Sequence, residues 1–264
     1  MDLQLNDKIA LVSGSTAGIG LAIATQLAGE GAETIINGRS QERVDAAMQT
    51  IRKAHPNSRV RGVAADVGTA DGAETLAKAV SSVDILVNNA GIFRPTPFEQ
   101  ISDEEWNELF QINVMSGVRL SRVYFPKMLA KNWGRIVFIS SESAVQIPAE
   151  MIHYGMTKTA NLSISRGLAE LTAGTGVTVN AVLPGPTSSE GVSTFVGQMA
   201  KHKGESEKQV EKEFFESVRP SSLIKRFATV EEVANLVTFV CSPLSSATNG
   251  AALRVDGGVV RSII

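Results

Sequence analysis

The sequence has few of the residues on which secreted and metal-binding domains depend. Cys241 is the single cysteine among 264 residues, so no disulfide can form within the chain and a disulfide-stapled secreted scaffold is excluded. The three histidines, His55, His153 and His202, show no metal-ligand spacing with one another or with Cys241. We therefore expect no metal site.

Strong charge and long apolar segments are also absent from the sequence. The 25 basic and 27 acidic residues give a formal net charge of −2, which argues against a general binder of nucleic acids or anionic membranes. No apolar run reaches the length of a bilayer span, and residues 1–8 lack the basic and apolar regions of a signal peptide. We therefore expect a cytoplasmic protein with a small-molecule partner.

Short apolar runs alternate with longer amphipathic segments along the chain. The runs are continuously hydrophobic, which is typical of strands covered on both faces. Their alternation with helices predicts a single α/β domain over 1–264, built on a Rossmann-type, doubly wound parallel sheet of about seven strands. The predicted strands are 9–12, 34–36, 60–65, 84–87, 135–139, 177–182 and 252–255, and the predicted helices are 19–27, 41–54, 73–80, 103–131 and 154–173.

A segment at about 188–225 interrupts this alternation. It contains no predicted strand, and its part from 197 to 217 is rich in Lys and Glu, which predicts one or two exposed helices. Two interpretations stay open. The insert is either a solvated helical excursion or a lid over the substrate, because long inserts in compact domains are often functional.

A glycine-rich turn follows the first predicted strand and opens the first helix. Its glycines allow a tight turn and a close approach to a diphosphate, and the helix N-terminus offers N–H groups to the anion. The pattern Gly-x3-Gly-x-Gly also fits a purely structural turn, but its position after the first strand favours a nucleotide site. The predicted cofactor residues here are Gly14, Ser15, Thr16, Gly18, Ile19 and Gly20.

The end of the second predicted strand bears on the choice of cofactor. A carboxylate there would bind the ribose hydroxyls of NAD, but Gly38 stands in its place. Arg39 follows, and its guanidinium suits the 2′-phosphate of NADP. The alternative interpretation is an exposed arginine at a turn. We favour NADP(H), with NAD as the second possibility.

Polar and small residues end the third and fourth predicted strands. Asp66, followed by Val67, could accept a hydrogen bond from the adenine amino group. Asn89, Ala90 and Gly91 could pack against the cofactor while tying strands together. Both Asp66 and Asn89 could equally serve as turn-formers, as these residue types often do.

Tyr154 and Lys158 lie four residues apart on a predicted helix and therefore project from one face. A neighbouring cation favours the phenolate and lowers the pKa of a phenol from its ordinary value near ~10. Ser141, thirteen residues before Tyr154, could hold a carbonyl oxygen beside the phenol. These groups together could move a proton to or from a carbonyl or alcohol, although the pair alone also fits a solvated helix face.

The motifs, in this order and at these separations, resemble the short-chain dehydrogenase/reductase family from Lys8 to Gly258. The resemblance also covers Pro184 and Gly185 after the sixth predicted strand and the Asp-Gly-Gly run at 256–258. It implies hydride transfer between a nicotinamide and a carbonyl or alcohol carbon, with Pro184 and Gly185 at the cofactor. Thr187 is a candidate to bind the nicotinamide carboxamide.

The resemblance implies a catalytic tetrad of Asn113, Ser141, Tyr154 and Lys158. Tyr154 would be the general acid in reduction and the base in oxidation, and Ser141 would polarise the carbonyl. Lys158 would lower the pKa of Tyr154 and bind the nicotinamide ribose, while Asn113 would hold a water that links Lys158 to solvent. Tyr154 and Lys158 thus count as cofactor-binding residues too.

We therefore predict an NAD(P)-dependent carbonyl reductase or alcohol dehydrogenase, whose substrate could be a 3-oxoacyl thioester, a sugar or polyol, or a cyclic or aromatic ketone. The alternative is a catalytically silent nucleotide-binding sensor or scaffold on the same fold. The resemblance also implies a homotetramer or homodimer, with helices 103–131 and 154–173 as the dimer surface. The apolar segment 259–264 would pack at another interface or complete the core.

Overall fold

The computed structural model describes residues 1–263, and its centre is one parallel sheet. The strands are β1 Ile9–Val12, β2 Glu33–Gly38, β3 Val60–Ala64, β4 Ile85–Asn88, β5 Gly134–Ile139, β6 Val177–Pro184 and β7 Ala252–Val255. They lie in the order β3-β2-β1-β4-β5-β6-β7, and all neighbours pair in parallel. The predicted doubly wound sheet is confirmed.

Helices cover both faces of this sheet. They are α1 Gly18–Gly29, α2 Gln41–Ala54, α3 Ala70–Ala79, α4 Asp103–Phe110, α5 Ser116–Lys131, α6 Ile152–Glu170, α7 Glu190–Lys203, α8 Glu207–Glu213 and α9 Val230–Val240. Alternate residues of a strand point to opposite faces. In β1, Ala10 and Val12 therefore join one buried cluster with α1, α2 and α9, whereas Leu11 joins the other with α3, α5 and α6.

The strand order fixes where a ligand can bind. From β1 the chain crosses to β2 on one side and later to β4 on the other, so the order changes direction between β1 and β4. A crevice forms outside the carboxyl ends of the strands at such a point. The glycine-rich turn after β1 and the Asn-Asn-Ala-Gly run after β4 both lie at this crevice.

The predicted helix 103–131 consists of three parts. A π-helical turn at Gln111–Met115 separates α4 from α5, and it contains Asn113. One extra residue per turn re-aims the side chains that follow, and such turns are frequent at functional sites. Hydrophobic periodicity does not reveal a single π-helical turn, because the apolar face continues on both sides of it.

Helix α9 was not among the sequence predictions, although its start signal is present. Thr229 Oγ1 accepts from the N–H of Glu232 at 3.2 Å, and the Glu232 carboxylate accepts from the N–H of Thr229 at 2.8 Å. This is a capping box. The helix packs on α1, where Gln26 Nε2 donates to Asn235 Oδ1 at 2.8 Å. It covers the sheet face that would otherwise remain open.

The 188–225 insert folds as α7 and α8, followed by a second π-helical turn at Phe214–Val218. The two helices are exposed on one side only, because Val196, Ala200 and Val210 form a small buried cluster of their own. Thr187 and Ala228 form an isolated parallel bridge where the insert leaves and rejoins the sheet. Its two ends are therefore fixed at one place.

The C-terminal segment completes the core in part. Val259 and Val260 are buried, and the Val260 N–H donates to Asp256 Oδ2 at 3.0 Å. The prediction for Ile264 lies outside the described residues. Among residues 1–263, no helix has the length and apolar character that crossing a membrane requires.

Candidate active site

The turn between β1 and α1 leaves room for a ligand against the main chain. Gly14 and Gly18 have φ values of +61° and +56°, a region that favours glycine. A Cβ on Gly14 would lie 2.9 Å from Ala90 Cα, so the turn packs directly on the end of β4. No side chain caps the N-terminus of α1, where Ala17 is the N-cap residue. The first N–H groups of this helix therefore need another acceptor, as an anion provides.

Hydrogen bonds hold this turn to the end of β4. Asn89 Nδ2 donates to the carbonyl oxygens of Ser13 and Gly14 at 3.0 and 2.9 Å. The Ser13 hydroxyl accepts from the N–H groups of Asn89 and Ala90 at 3.0 and 3.1 Å. Asn89 thus ties the two strand ends together, as the sequence suggested. Its contact with a cofactor stays a prediction.

A smaller cavity of about 190 Å³ lies beside this turn, at the end of β2. Arg39 borders it, is exposed, and has no hydrogen bond or ion pair within residues 1–263. A Cβ on Gly38 would approach Thr16 Cγ2 to 2.4 Å, so glycine makes room for Thr16. Asp66 Oδ1 accepts from the Gly68 N–H at 3.0 Å, which is the turn-forming alternative for this residue. The adenine contact of Asp66 stays a prediction.

Asn37, at the end of β2, was missed by the sequence analysis. It is buried, and its Nδ2 donates to the carbonyl oxygens of Val63 and Ala65 at 3.2 and 3.1 Å. Its own N–H and C=O bond to Ser15. An amide at the end of an otherwise apolar strand was the available signal. Asn37 fixes the floor of the smaller cavity.

The main cavity of about 610 Å³ runs from the glycine-rich turn past the ends of β4, β5 and β6 to the 188–225 insert. Of the predicted site residues, it brings together Gly14, Gly18, Ile19, Gly20, Asn89, Gly91, Ser141, Tyr154, Lys158, Pro184, Gly185 and Thr187. The smaller cavity adds Thr16, Arg39, Asp66, Val67 and Ala90.

Two predicted site residues border neither cavity, namely Ser15 and Asn113. Ser15 is fully buried, and its hydroxyl donates to the Val12 carbonyl oxygen at 2.6 Å. Its N–H is also engaged, donating to the Asn37 carbonyl oxygen at 2.9 Å. The geometry therefore gives Ser15 a role in shaping the turn and gives no support to a direct cofactor contact.

Asn113 holds the loop after β4 against α6. Its Oδ1 accepts from the Ile92 N–H at 2.8 Å, and its Nδ2 donates to the Ile92 carbonyl oxygen at 2.9 Å and to Thr157 Oγ1 at 3.0 Å. The Asn113 carbonyl oxygen accepts from Asn161 Nδ2 at 3.2 Å. Asn113 thus stabilises the contact between the loop after β4 and α6, and its part in a water relay stays a prediction.

Lys158 is buried beside the tyrosine on the same face of α6. Its Nζ lies 5.6 Å from the centroid of the Tyr154 ring and donates to the Ile139 carbonyl oxygen at 2.9 Å. Only 5% of Lys158 is exposed, and burial lowers the pKa of its ammonium to about 8. Lys158 therefore still carries its charge at neutral pH. A Cβ on Gly91 would lie 3.4 Å from Lys158 Nζ and from Asn113 Oδ1, so a larger residue would crowd both groups.

The pKa of Tyr154 moves in the direction opposite to that expected from Lys158. Loss of solvation raises the pKa of Tyr154 to about 12. A hydrogen bond with Ser141 lowers it, the charge of Glu142 raises it, and that of Arg219 lowers it. The predicted lowering by Lys158 is not met, because the loss of solvation of the phenolate outweighs the lowering by Ser141 and Arg219. Tyr154 is consequently in its acid form at neutral pH.

A buried ion pair borders Ser141. Glu142 and Arg219 are only 3% and 8% exposed, and Arg219 Nε donates to Glu142 Oε1 at 2.9 Å. Arg219 Nη1 also donates to Glu150 Oε1 at 3.1 Å. Arg219, 77 positions after Glu142, carried no local signal in the sequence.

Comparisons with known proteins agree with this arrangement. The sequence profile of the short chain dehydrogenase family matches residues 8–199. The uncharacterized oxidoreductase YvaG of Bacillus subtilis is 50% identical over the whole of both chains. The D-beta-hydroxybutyrate dehydrogenase of Cupriavidus necator is 35% identical, over 97% of this chain and 99% of its own.

A solved structure extends the similarity to the fold. The L-sorbose reductase of Gluconobacter frateurii, in complex with NADPH and L-sorbose, superposes with a TM-score of 0.93 over 100% of both chains, at 32% identity. Profile, identity and superposition each extend over most of the chain, and three of the predicted catalytic residues, Ser141, Tyr154 and Lys158, line one cavity. The chain therefore belongs to the short-chain dehydrogenase/reductase family of oxidoreductases.

Proposed function

We propose that this protein is an NADPH-dependent reductase of a small, neutral carbonyl compound that carries hydroxyl groups. The observation that carries the proposal is the main cavity, which joins the glycine-rich turn to Ser141, Tyr154 and Lys158. A cofactor and a carbonyl substrate can therefore meet beside one proton donor. The reverse reaction, oxidation of the alcohol, uses the same groups.

The cofactor end of the cavities fits a nicotinamide dinucleotide. Gly14 and Gly18 keep side chains away from the turn, and the uncapped N-terminus of α1 suits a diphosphate. Within residues 1–263 the Arg39 guanidinium has no partner, and it lies beside the smaller cavity, which supports a 2′-phosphate and hence NADP(H) over NAD. When bound, NADPH supplies the hydride that reduces the carbonyl carbon.

Tyr154 can serve as the proton donor in the reductive direction. A phenol with a pKa of about 12 keeps its proton at neutral pH and can deliver it to the oxygen of a carbonyl under reduction. Ser141 lies beside the phenol and can hold that oxygen. The charge of Lys158, 5.6 Å from the ring, stabilises the phenolate that is left.

The charges around the substrate end support a neutral substrate. Glu142 and Glu150 carry two negative charges, and Arg219 and Lys158 carry two positive charges, so the charges at this end balance. A keto acid or an acyl phosphate would therefore meet no excess of positive charge, whereas hydroxyl groups can donate to these carboxylates. The similarity to L-sorbose reductase also supports a compound of the ketose type. The 3-oxoacyl thioesters remain the second substrate class to be measured.

The 188–225 insert supports a lid at this end. Val192, Val196, Met199 and Phe214 line the main cavity with apolar side chains. Closing them over the substrate would exclude water, which strengthens the electrostatic interactions inside. The bridge between Thr187 and Ala228 anchors both ends of the insert to the sheet.

The test is oxidation of NADPH and NADH by the purified protein, followed by absorbance, with ketoses, 3-oxoacyl thioesters and cyclic ketones. We expect turnover with NADPH and a ketose. Tyr154→Phe should lower kcat by about a thousandfold and leave NADPH binding, measured by fluorescence, unchanged. No turnover by the wild type despite tight NADPH binding would contradict the proposal and favour a sensor. Sedimentation of the same sample tests the proposed homodimer or homotetramer.

A further inference from the structure

We propose that Glu142 and Arg219 act as a positioning pair, which holds Ser141 for catalysis and balances the charge beside Tyr154 from within the 188–225 insert. The inference rests on the proposed function, because it concerns the same active site. It assigns a role to two buried charges that the reaction itself does not consume. It also connects the insert to Ser141 through hydrogen bonds.

The geometry of Glu142 links two parts of the chain. Its Oε2 accepts from the Ser141 hydroxyl at 3.0 Å and from the Ser143 hydroxyl, while its Oε1 accepts from Arg219 Nε at 2.9 Å. Arg219 directly follows the π-helical turn of the insert, whereas Ser141 follows β5. One carboxylate therefore joins the catalytic hydroxyl to the insert.

A buried pair at this position is not explained by stability alone. Taking two charges out of water costs about as much as their attraction returns, and well-packed apolar residues are often as stable. Removing Arg219, however, leaves the charge of Glu142 uncompensated in the site, whereas removing Glu142 leaves Arg219 paired only with the exposed Glu150. Because both residues border the main cavity, such a charge would act directly on the reacting groups.

The pair determines how Ser141 can use its single hydrogen. In the structure the Ser141 hydroxyl donates to Glu142 and accepts from the Ser143 N–H at 3.1 Å. A carboxylate already neutralised by a guanidinium is a weaker acceptor than a free one. Arg219 therefore allows Ser141 to turn its hydrogen from Glu142 towards a substrate carbonyl, and Glu142 keeps the hydroxyl in place until then.

The pair also acts on Tyr154 with opposite signs. The charged groups around the phenol are Glu142, Arg219 and Lys158, and Glu150 contributes through its contact with Arg219. The charge of Glu142 raises the pKa of Tyr154, and the charge of Arg219 lowers it. Neutralising each partner in turn should therefore move the titration of Tyr154 in opposite directions. A purely structural role would not produce this sign reversal.

The experiment compares Glu142→Gln and Arg219→Met with Arg226→Met, which removes an exposed arginine paired with Glu232. The chain has only two tyrosines, so ¹³Cζ-labelled tyrosine gives two NMR signals, and Tyr154→Phe assigns them. We expect the Tyr154 signal to titrate at lower pH in Glu142→Gln and at higher pH in Arg219→Met. Arg226→Met should leave it in place.

Kinetics supply the second readout. Both single variants should lose about tenfold to a hundredfold in kcat with the ketose, because Ser141 is misplaced, while the Kd for NADPH stays within about twofold. In the double variant Glu142→Gln/Arg219→Met neither charge of the pair remains. It should fold even where a single variant does not, and its Tyr154 titration should return towards that of the wild type.

The outcomes separate the two proposals. Shifts of equal sign in the two single variants, or a double variant whose Tyr154 titration and kcat both match the wild type, would overturn the positioning pair. The NMR titration needs no turnover, so it decides this point even if no carbonyl substrate is reduced. Absence of turnover in the wild type would instead count against the proposed function.

Discussion

The two ends of the main cavity are built by different means. At the cofactor end, the main chain sets the shape, since Gly14 and Gly18 hold positive φ angles and Asn89 bonds to backbone carbonyl oxygens. At the substrate end, charged side chains set it, with Glu142 and Arg219 meeting from positions 77 residues apart. We therefore expect cofactor binding to depend on backbone conformation and substrate binding to depend on a balance of charge.

The largest effect should come from Gly14→Ala, which disturbs the backbone conformation at the cofactor end. The new Cβ would lie 2.9 Å from Ala90 Cα at a φ of +61°, so the turn must move away from the end of β4. We expect NADPH binding to weaken at least about a hundredfold and the unfolding free energy to fall by about 1–3 kcal/mol. Calorimetric titration and chemical denaturation measure the two effects.

Gly174→Ala is the matched control for that variant. Its φ is +75°, but a Cβ there would meet no atom within 4 Å. It should therefore show the backbone strain, about 1 kcal/mol, without the loss of NADPH binding. Equal losses of binding in the two variants would show that strain alone, and not the contact with β4, governs the cofactor end.

Lys158→Met, at the centre of the main cavity, should lower the activity and raise the stability of the protein. Removal of the cation should lower kcat about a hundredfold. Because burial lowers the pKa of Lys158 from its ordinary 10.5 to about 8, the charged lysine destabilises the folded state at neutral pH. The variant should therefore be more stable than the wild type by about 1 kcal/mol below pH 8.

The stability difference between Lys158→Met and the wild type should depend on pH. Above pH 8 the folded wild type loses its proton while the unfolded chain keeps it until about pH 10.5, so wild-type stability rises through this window. The advantage of Lys158→Met should shrink accordingly. Denaturation series at pH 7 and pH 9.5 measure it, and a constant difference would mean that Lys158 is not desolvated.

Arg39→Ala should change cofactor binding without altering the backbone at the cofactor end. Loss of the guanidinium should weaken NADPH binding about tenfold and leave NADH binding unchanged, because only NADPH has the 2′-phosphate. Arg43→Ala is the control, since Arg43 is exposed nearby but is already paired with Glu190 at 2.9 Å. Fluorescence titration with both cofactors measures this, and equal losses for NADPH and NADH would remove Arg39 from the phosphate site.

The same contrast explains what could be predicted from the sequence. The sheet was predictable because its strands are continuous apolar runs, and the glycine-rich turn because Gly14, Gly18 and Gly20 form a local pattern. The Tyr154–Lys158 pair was also local, four residues apart on one helix. Arg219 was not predictable, because its partners come from distant segments. The raised pKa of Tyr154 was not predictable either, because desolvation depends on the whole tertiary structure.

The smallest effect should come from the insert, and it tests whether the insert moves separately from the sheet. Val210 and Val87 are both buried. Val210 belongs to the small cluster of the insert, whereas Val87 lies in β4 and belongs to the larger core cluster of the sheet. Val87→Ala should lower the unfolding free energy by about 2 kcal/mol. Val210→Ala should lower the unfolding free energy much less, because a lid that opens locally has lost this contact before the sheet unfolds.

The effect of Val210→Ala should instead appear as faster hydrogen exchange in α7 and α8 and a KM for the ketose raised by about twofold to threefold. Equal losses of stability in the two variants would mean that insert and sheet unfold as one unit, and the lid would then need another source of motion.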